Sequence, residues 1–506
     1  MTNEKFVIKP WQIYLAILFG TIVRFIFGLY TKPWLSSPDQ IAWELTLTDA
    51  VQNGSISYKS LIHYPHEGGS FFISLISFCF RPFQNIMPSL SFAALLIDTG
   101  ARFTQIKLSQ RMFGPVATAW FAVWTILSIP LLIPWATVNF GLHALSSFLP
   151  FVFLYIVTTY KSKYPTAIIS GIVAGLSISF SYNNIIFIPA FLMFIVLKKQ
   201  NIKNKICSAA QFIFFVLILL IPHFIARSFF DNGFDWQQYP FYSIRGVFIE
   251  SIFTSEHIWN FLYVWHHALP ASVLLSSIEF ISTHLQRDII FCFFIIGFIF
   301  LFLKNNVENK IIYFSCILVF IFLLVYSFSP FYADDIQDKS YLYYRHLAYI
   351  LPLIVIILIH AFLNANKLSI YFLILWITIC GLATTMNFFL TKSPVQPAYR
   401  AAGWVLVQKY GDDINKLTDL YNVSPDEQKN ETMVGYGWGF ASAILNGKNE
   451  NDTMTIHQLV NIINQFPEDQ QRLLVLGVHH AFRNEITPVL DKKLLLMFDN
   501  AKKIKL

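Results

Sequence analysis

The stretch Gln12-Ile-Tyr-Leu-Ala-Ile-Leu-Phe-Gly-Thr-Ile-Val-Arg-Phe-Ile-Phe-Gly-Leu-Tyr-Thr31 is 20 residues long and contains a single charge, Arg24. A run of about 20 apolar residues is what a helix needs to cross a bilayer. A polar stretch, Trp34-Leu-Ser-Ser-Pro-Asp-Gln40, follows directly and sets the carboxylate of Asp39 just beyond the membrane surface. Lys5 and Lys9 precede the run, so the positive-inside rule leaves the N-terminus cytoplasmic and Asp39 outside. The run is too long for a signal-peptide core and no small-residue cleavage site follows it, so it reads as a retained span.

The composition extends this reading to most of the chain. Of 506 residues, 55% are apolar and 13% charged, the mean hydropathy is +0.54, and 52 residues are Phe. Soluble domains carry about 25% charged residues, so lipid must solvate much of this surface. The net charge of +7 is not gathered into a basic patch, which argues against a nucleic-acid partner. Cys79, Cys207, Cys292, Cys316 and Cys380 lie in or beside apolar runs without CxxC spacing. They read as buried small apolar side chains, with no disulfide framework or zinc site.

The expected fold is an all-α polytopic membrane protein with about 11 transmembrane helices over residues 1–390. Spans fall near 12–31, 88–108, 115–137, 141–160, 165–182, 184–198, 206–227, 288–304, 310–330, 347–364 and 369–390. The apolar piece 69–80 is short, in the range of re-entrant segments. Lys107 and Arg111 belong inside, so one full crossing separates them from Asp39; 88–108 supplies it and 69–80 dips without crossing. Lys161, Lys163, Lys198, Lys199, Lys203, Lys205, Lys304 and Lys310 then also fall inside. The spans read as nearly free of charge apart from Arg24. Large outer loops cover 32–87 and 228–287, and most histidines lie on the outer side.

From residue 391 to 506 the composition is that of a soluble protein, placed outside by the span count. Ser424-Pro-Asp-Glu-Gln428 leads to Gly435, and Phe466-Pro-Glu-Asp-Gln470 leads to Gly477, an offset of 42. Both stretches look like helix starts, with Pro at the first position and acids in the first turn. A period near 40 suits helix-pair repeats. Gly435-Tyr-Gly-Trp-Gly439 lacks the strand-turn-helix setting of a nucleotide loop and suits close helix packing. This segment reads as a small helical extracytoplasmic domain with a supporting or protein-partner role.

Read in order, several residues resemble the GT-C superfamily of membrane glycosyltransferases, in its bacterial protein O-mannosyltransferase and aminoarabinose transferase branch. They are Arg24, Pro38-Asp39, His63-Tyr-Pro-His66-Glu67, Leu108-Ser-Gln-Arg-Met-Phe-Gly114, Gly171-Ile-Val-Ala-Gly-Leu176 and Tyr343-Tyr344-Arg345-His346. The resemblance implies transfer of a sugar from a polyprenyl-phosphate donor to a glycan, lipid or protein acceptor at the outer face of a bacterial inner membrane. By the same resemblance Asp39 would be the general base and Arg345 would hold the lipid phosphate. Many relatives have two adjacent acids where this chain has Asp39-Gln40; Glu44 or Glu67 is the alternative second carboxylate.

Each candidate has a plainer reading. Asp39 suits a helix cap after Ser36, Ser37 and Pro38. His66 and Glu67 suit acceptor binding, a metal site or a cap. A divalent cation between Asp39, Glu67 and a histidine is compatible with these ligand types, although their separation is not fixed by sequence and no other cofactor is implied. Arg345 and His346, with Tyr344 beside them, suit substrate binding or an interfacial anchor. Arg24 suits an ion pair with a first-loop acid or a substrate contact. Two other functions compete with sugar transfer: a transporter or flippase of a lipid-linked or polar substrate, and a non-catalytic scaffold recruiting a partner through 391–506.

Overall fold

A computed structural model describes, in the main, residues 9–31, 69–83, 89–127, 310–327, 345–365 and 370–378 and, with short interruptions, 145–230 and 400–484. Among the described residues the secondary structure is helical, with no strand. They fall into two compact units, those before Lys392 and those after it.

Helix α1 (Pro10–Thr31) turns most of its bulky apolar residues outward. Ile13, Ile17, Gly20, Arg24 and Gly28 form one buried stripe at helical spacing. Trp11, Leu15, Leu18, Phe19, Ile22 and Ile26 are exposed on the rest of the surface. A helix in water does the reverse, hiding its bulky apolar residues and exposing its charge. Within the described residues, two helical stretches, Ile202–Ile221 and Lys310–Ser327, are long and apolar enough to cross a membrane.

The remaining helices of this unit are α2 (Gly69–Phe80), α3 (Ser89–Met112), α4 (Pro115–Leu127), α5 (Leu149–Thr159), α6 (Lys163–Phe180), α7 (Phe187–Leu197), α8 (Ile202–Phe230), α9 (Lys310–Ser327) and α10 (Leu351–Ala365). Their side-chain contacts fix the directions. Tyr14 stacks on Phe103, Thr21 meets Thr99 and Phe25 meets Phe92, so α1 and α3 are antiparallel. Gly114, with a φ of +87°, adopts the left-handed conformation that commonly closes a helix and lets α4 fold back along α3.

Small residues set the α6–α8 contact. A Cβ at Gly171 would lie 2.6 Å from the carbonyl of Phe212, and one at Gly175 would lie 2.9 Å from the Leu219 Cβ. Ser179 then reaches the Leu219 carbonyl. This is the small-xxx-small spacing that allows two backbones to approach closely, and its register makes α6 and α8 parallel. The 3₁₀ turn Tyr182–Ile186 and α7 therefore bring the chain back between them.

Phe194 of α7 packs on Phe314 of α9, Phe322 of α9 stacks on Tyr349, and His360 of α10 meets Phe113 just past α3. The helices thus share two ends. Lys9, Lys107, Arg111, Lys198, Lys203, Lys205 and Lys310 lie at one end by their places along the helices; Arg81 lies towards the other. At that far end α1, α4, α6 and α9 finish and α3 and α10 begin.

In the second unit the helices are α11 (Ile414–Val423), α12 (Asp426–Leu445), α13 (Asp452–Ile463) and α14 (Glu468–Asn484). The first residues of α12 and α14 are 42 positions apart. Helix α12 is buried over nearly all of Thr432–Ser442. Its glycines serve close packing: a Cβ at Gly435 would strike the carbonyl of Arg400 and Gly403, and one at Gly437 would strike the carbonyl of Leu474. The equivalent Gly477 of α14 meets the Val434 carbonyl and Gly437 in the same way. One glycine contact, against a carbonyl and a glycine three residues on, is therefore used twice.

Candidate functional site

Three ionised side chains meet inside the first unit. Arg24 is 0% exposed, Asp98 4% and Arg102 7%. Asp98 and Arg102 lie one turn apart on α3, where the Arg102 Nε and Nη2 groups donate to the two carboxylate oxygens at 2.7 and 3.1 Å. The Arg24 Nε lies 3.3 Å from the same Asp98 Oδ2. Both arginines also reach the carbonyl of Thr125, Arg24 through Nη2 at 2.8 Å and Arg102 through Nη1 at 3.3 Å. Thr125 is in the last turn of α4, where carbonyls lack an intrahelical partner and the helix dipole is negative. Arg24 Nη1 donates to the Gly20 carbonyl at 2.9 Å, and a Cβ at Gly20 would come within 3.3 Å of that nitrogen.

This arrangement ties α1, α3 and α4 together at their far-end halves. Among the described residues the Asp98 carboxylate is held by two guanidiniums, one on α1 and one on α3, so the cluster works as a tie between helices.

A second polar contact lies at the end of α6. Asn184 donates through Nδ2 to the carbonyls of Ser177 and Ser181 at 2.9 and 3.1 Å, capping that helix. Its Oδ1 accepts from the hydroxyl of Tyr349. Both residues are fully buried. Tyr349 closes the 3₁₀ turn Arg345–Tyr349, which leads into α10.

The sequence candidates are distributed unevenly over this framework. Arg24 sits in the buried cluster, and its described ion-pair partner is Asp98 rather than a first-loop acid. The backbone of Arg345 and His346 opens the 345–349 turn. Asp39, Glu44, His66, Glu67 and Tyr344 lie outside the described residues. Asp98 and Arg102 are what sequence reading missed: the span at 88–108 is not charge-free. Their signal was an acid and a base spaced i, i+4 inside an apolar run, a pairing that helices favour and that membranes tolerate only when it is satisfied.

Among the described residues no group of three His, Cys, Asp or Glu side chains could hold a metal. Cys79, Cys207 and Cys316 are free thiols. Against the expectation of burial, Cys79 is exposed on α2 and Cys207 and Cys316 are half-buried, while Cys292 and Cys380 lie outside the described residues. No protein-family model, curated protein or solved structure matches this chain.

Proposed function

We propose that this chain is a multi-pass membrane glycosyltransferase of the GT-C type, with about 11 spans, that transfers a sugar from a polyprenyl phosphate to an acceptor hydroxyl. One observation carries the reading. Helix α1 ends at the far end of the bundle, 8 residues before Asp39, and the turn opened by Arg345 lies at that same end. The lysines and Arg111 at the other end make that end cytoplasmic by the positive-inside rule. The far end is then the extracytoplasmic face of an inner membrane, with the C-terminal segment in the periplasm.

The chemistry suits such a location. The donor's lipid tail stays in the bilayer while its phosphosugar head meets water. Asp39 takes the acceptor hydroxyl's proton as that oxygen attacks the anomeric carbon. The bond from the anomeric carbon to the phosphate oxygen breaks, and polyprenyl phosphate leaves with its charge matched by Arg345. Asp39→Asn in purified membranes should lower transfer from a synthetic polyprenyl-phosphate sugar by ~10²-fold or more, with insertion unchanged. Normal transfer by that variant overturns the assignment.

The buried Arg24–Asp98–Arg102 cluster favours a second reading, a transporter or flippase, since such proteins keep ionised groups within their spans. Substrate flux across vesicles that persists in Asp39→Asn, together with no sugar transfer by the native chain, would select it.

A further inference from the structure

We infer that the Tyr349–Asn184 hydrogen bond is a positioning device for Arg345, which sets how tightly the chain grips a lipid phosphate; this rests on the glycosyltransferase reading. The turn Arg345–Tyr349 has only five residues, and 3₁₀ geometry gives a short segment few and poorly aligned bonds of its own. It must be held from outside. Leu347, Ala348, Tyr349 and Ile350 are all buried, and Phe322 stacks on the Tyr349 ring at 5.3 Å between centroids.

Packing alone would be served by phenylalanine, because burying a hydroxyl is unfavourable unless it is bonded. The bond here is specific. Asn184 uses its Nδ2 on two carbonyls of the α6 terminus, which leaves Oδ1 as the acceptor for Tyr349. A fixed path therefore runs from the end of α6 through Asn184 to Tyr349. At about 2 Å per residue, the Arg345 Cα lies roughly 8 Å along the turn from that anchor. A forked guanidinium binds phosphate well only when its backbone is held in place.

The test uses full-length protein in nanodiscs and undecaprenyl phosphate as the probe, with binding and transfer measured separately. Tyr349→Phe removes one oxygen and keeps the ring. It should weaken undecaprenyl phosphate binding about tenfold, in line with loss of one buried hydrogen bond, and raise the donor KM similarly while kcat stays within about twofold. Asn184→Ala should do the same, and the double variant should lose no more than either alone. Arg345→Ala should weaken binding further, and adding Tyr349→Phe to it should change nothing. Unchanged binding in both folded single variants overturns the inference, as does an additive loss in the variant that also lacks Arg345. If Arg345→Ala itself binds the probe normally, the phosphate role of Arg345 fails first and the positioning role falls with it.

Discussion

Helix α1 of the first unit and helix α12 of the second are built on opposite plans. On α1 the large apolar residues Leu15, Leu18, Phe19 and Ile22 face outward, and the buried stripe holds Arg24. On α12 the apolar residues Met433, Tyr436 and Phe440 are buried. Among the described residues of the second unit, the large apolar side chains left exposed are Leu476 and Leu496. Soluble surfaces rarely carry extended apolar patches, and the outward face of α1 carries one where α12 does not. The helix contacts of the two units nonetheless obey one rule. Gly171 and Gly175 on α6 and Gly435, Gly437 and Gly477 on α12 and α14 all bring backbones together where a Cβ would collide. The solvent decides which side chains face out, whereas close helix approach follows the same sterics in both.

The contrast breaks most sharply at the ion pairs. Asp98→Leu would leave two guanidiniums in an apolar interior without their carboxylate. Removing one partner of a buried pair costs about 3–5 kcal/mol, so this variant should give little folded protein in detergent, read by monodispersity and thermal unfolding. Arg400 and Glu431 of the second unit are paired at 2.8 Å but about 31% and 27% exposed. Glu431→Gln should shift stability by no more than about 1 kcal/mol. Equal losses from the two substitutions would mean that Asp98 is not in an apolar interior.

Outward-facing apolar residues give the next largest difference. Phe19→Lys places an ammonium on the exposed face near the middle of α1, where insertion scales assign about 2.5–3.5 kcal/mol for a lysine at a helix centre. Leu476→Lys on α14 meets water and should change stability by less than about 0.5 kcal/mol. Glycosylation-mapping of the inserted fraction reads the first, and thermal unfolding of the full chain reads the second. Full insertion of the Phe19→Lys variant would remove the lipid-facing interpretation of α1.

What the sequence made legible follows from which forces are local. Helix class, the offset of 42 and the packing role of Gly435-Tyr-Gly-Trp-Gly439 were readable, because periodicity and missing side chains leave a mark at each position. The basic residues beside helix ends, Lys107, Arg111, Lys203, Lys205 and Lys310 among those described, were readable too, since each borders an apolar run. The union of Arg24, Asp98, Arg102 and the Thr125 carbonyl was not, because it joins three helices and one partner is a backbone atom. The Tyr349–Asn184 bond links positions 165 residues apart, and neither residue has a sequence context that announces it. The Asp39 segment lies outside the described residues, so its role rests on the family resemblance.

Glycine substitutions test the rule the units share. Gly437→Ala sets a methyl against the Leu474 carbonyl, and Gly171→Ala sets one 2.6 Å from the Phe212 carbonyl. Backbone cannot yield as a flexible side chain can, and overpacking typically costs about 1–3 kcal/mol. Both variants should lower the unfolding temperature of their own unit and leave the other's transition in place. A loss in one unit alone would show that close approach matters there and not in its counterpart.

The smallest effect concerns pH and belongs to the second unit. Tyr436 is buried on α12 and donates its hydroxyl to the Leu417 carbonyl at 3.0 Å. Burial holds its phenol above the usual value near 10, with Tyr421 adding to the rise. A group whose pKa is higher in the folded state stabilises fully below its unfolded pKa and loses that contribution as pH climbs towards the folded one. The second unit should therefore be insensitive to Tyr436 ionisation up to about pH 10 and weaken above it. Tyr436→Phe should cost about 1 kcal/mol at neutral pH through the lost hydrogen bond, and its stability should fall less steeply in the alkaline range. Parallel alkaline slopes for the native and Tyr436→Phe chains, followed by near-ultraviolet absorbance of phenolate and by unfolding, would place that hydroxyl in water rather than against Leu417.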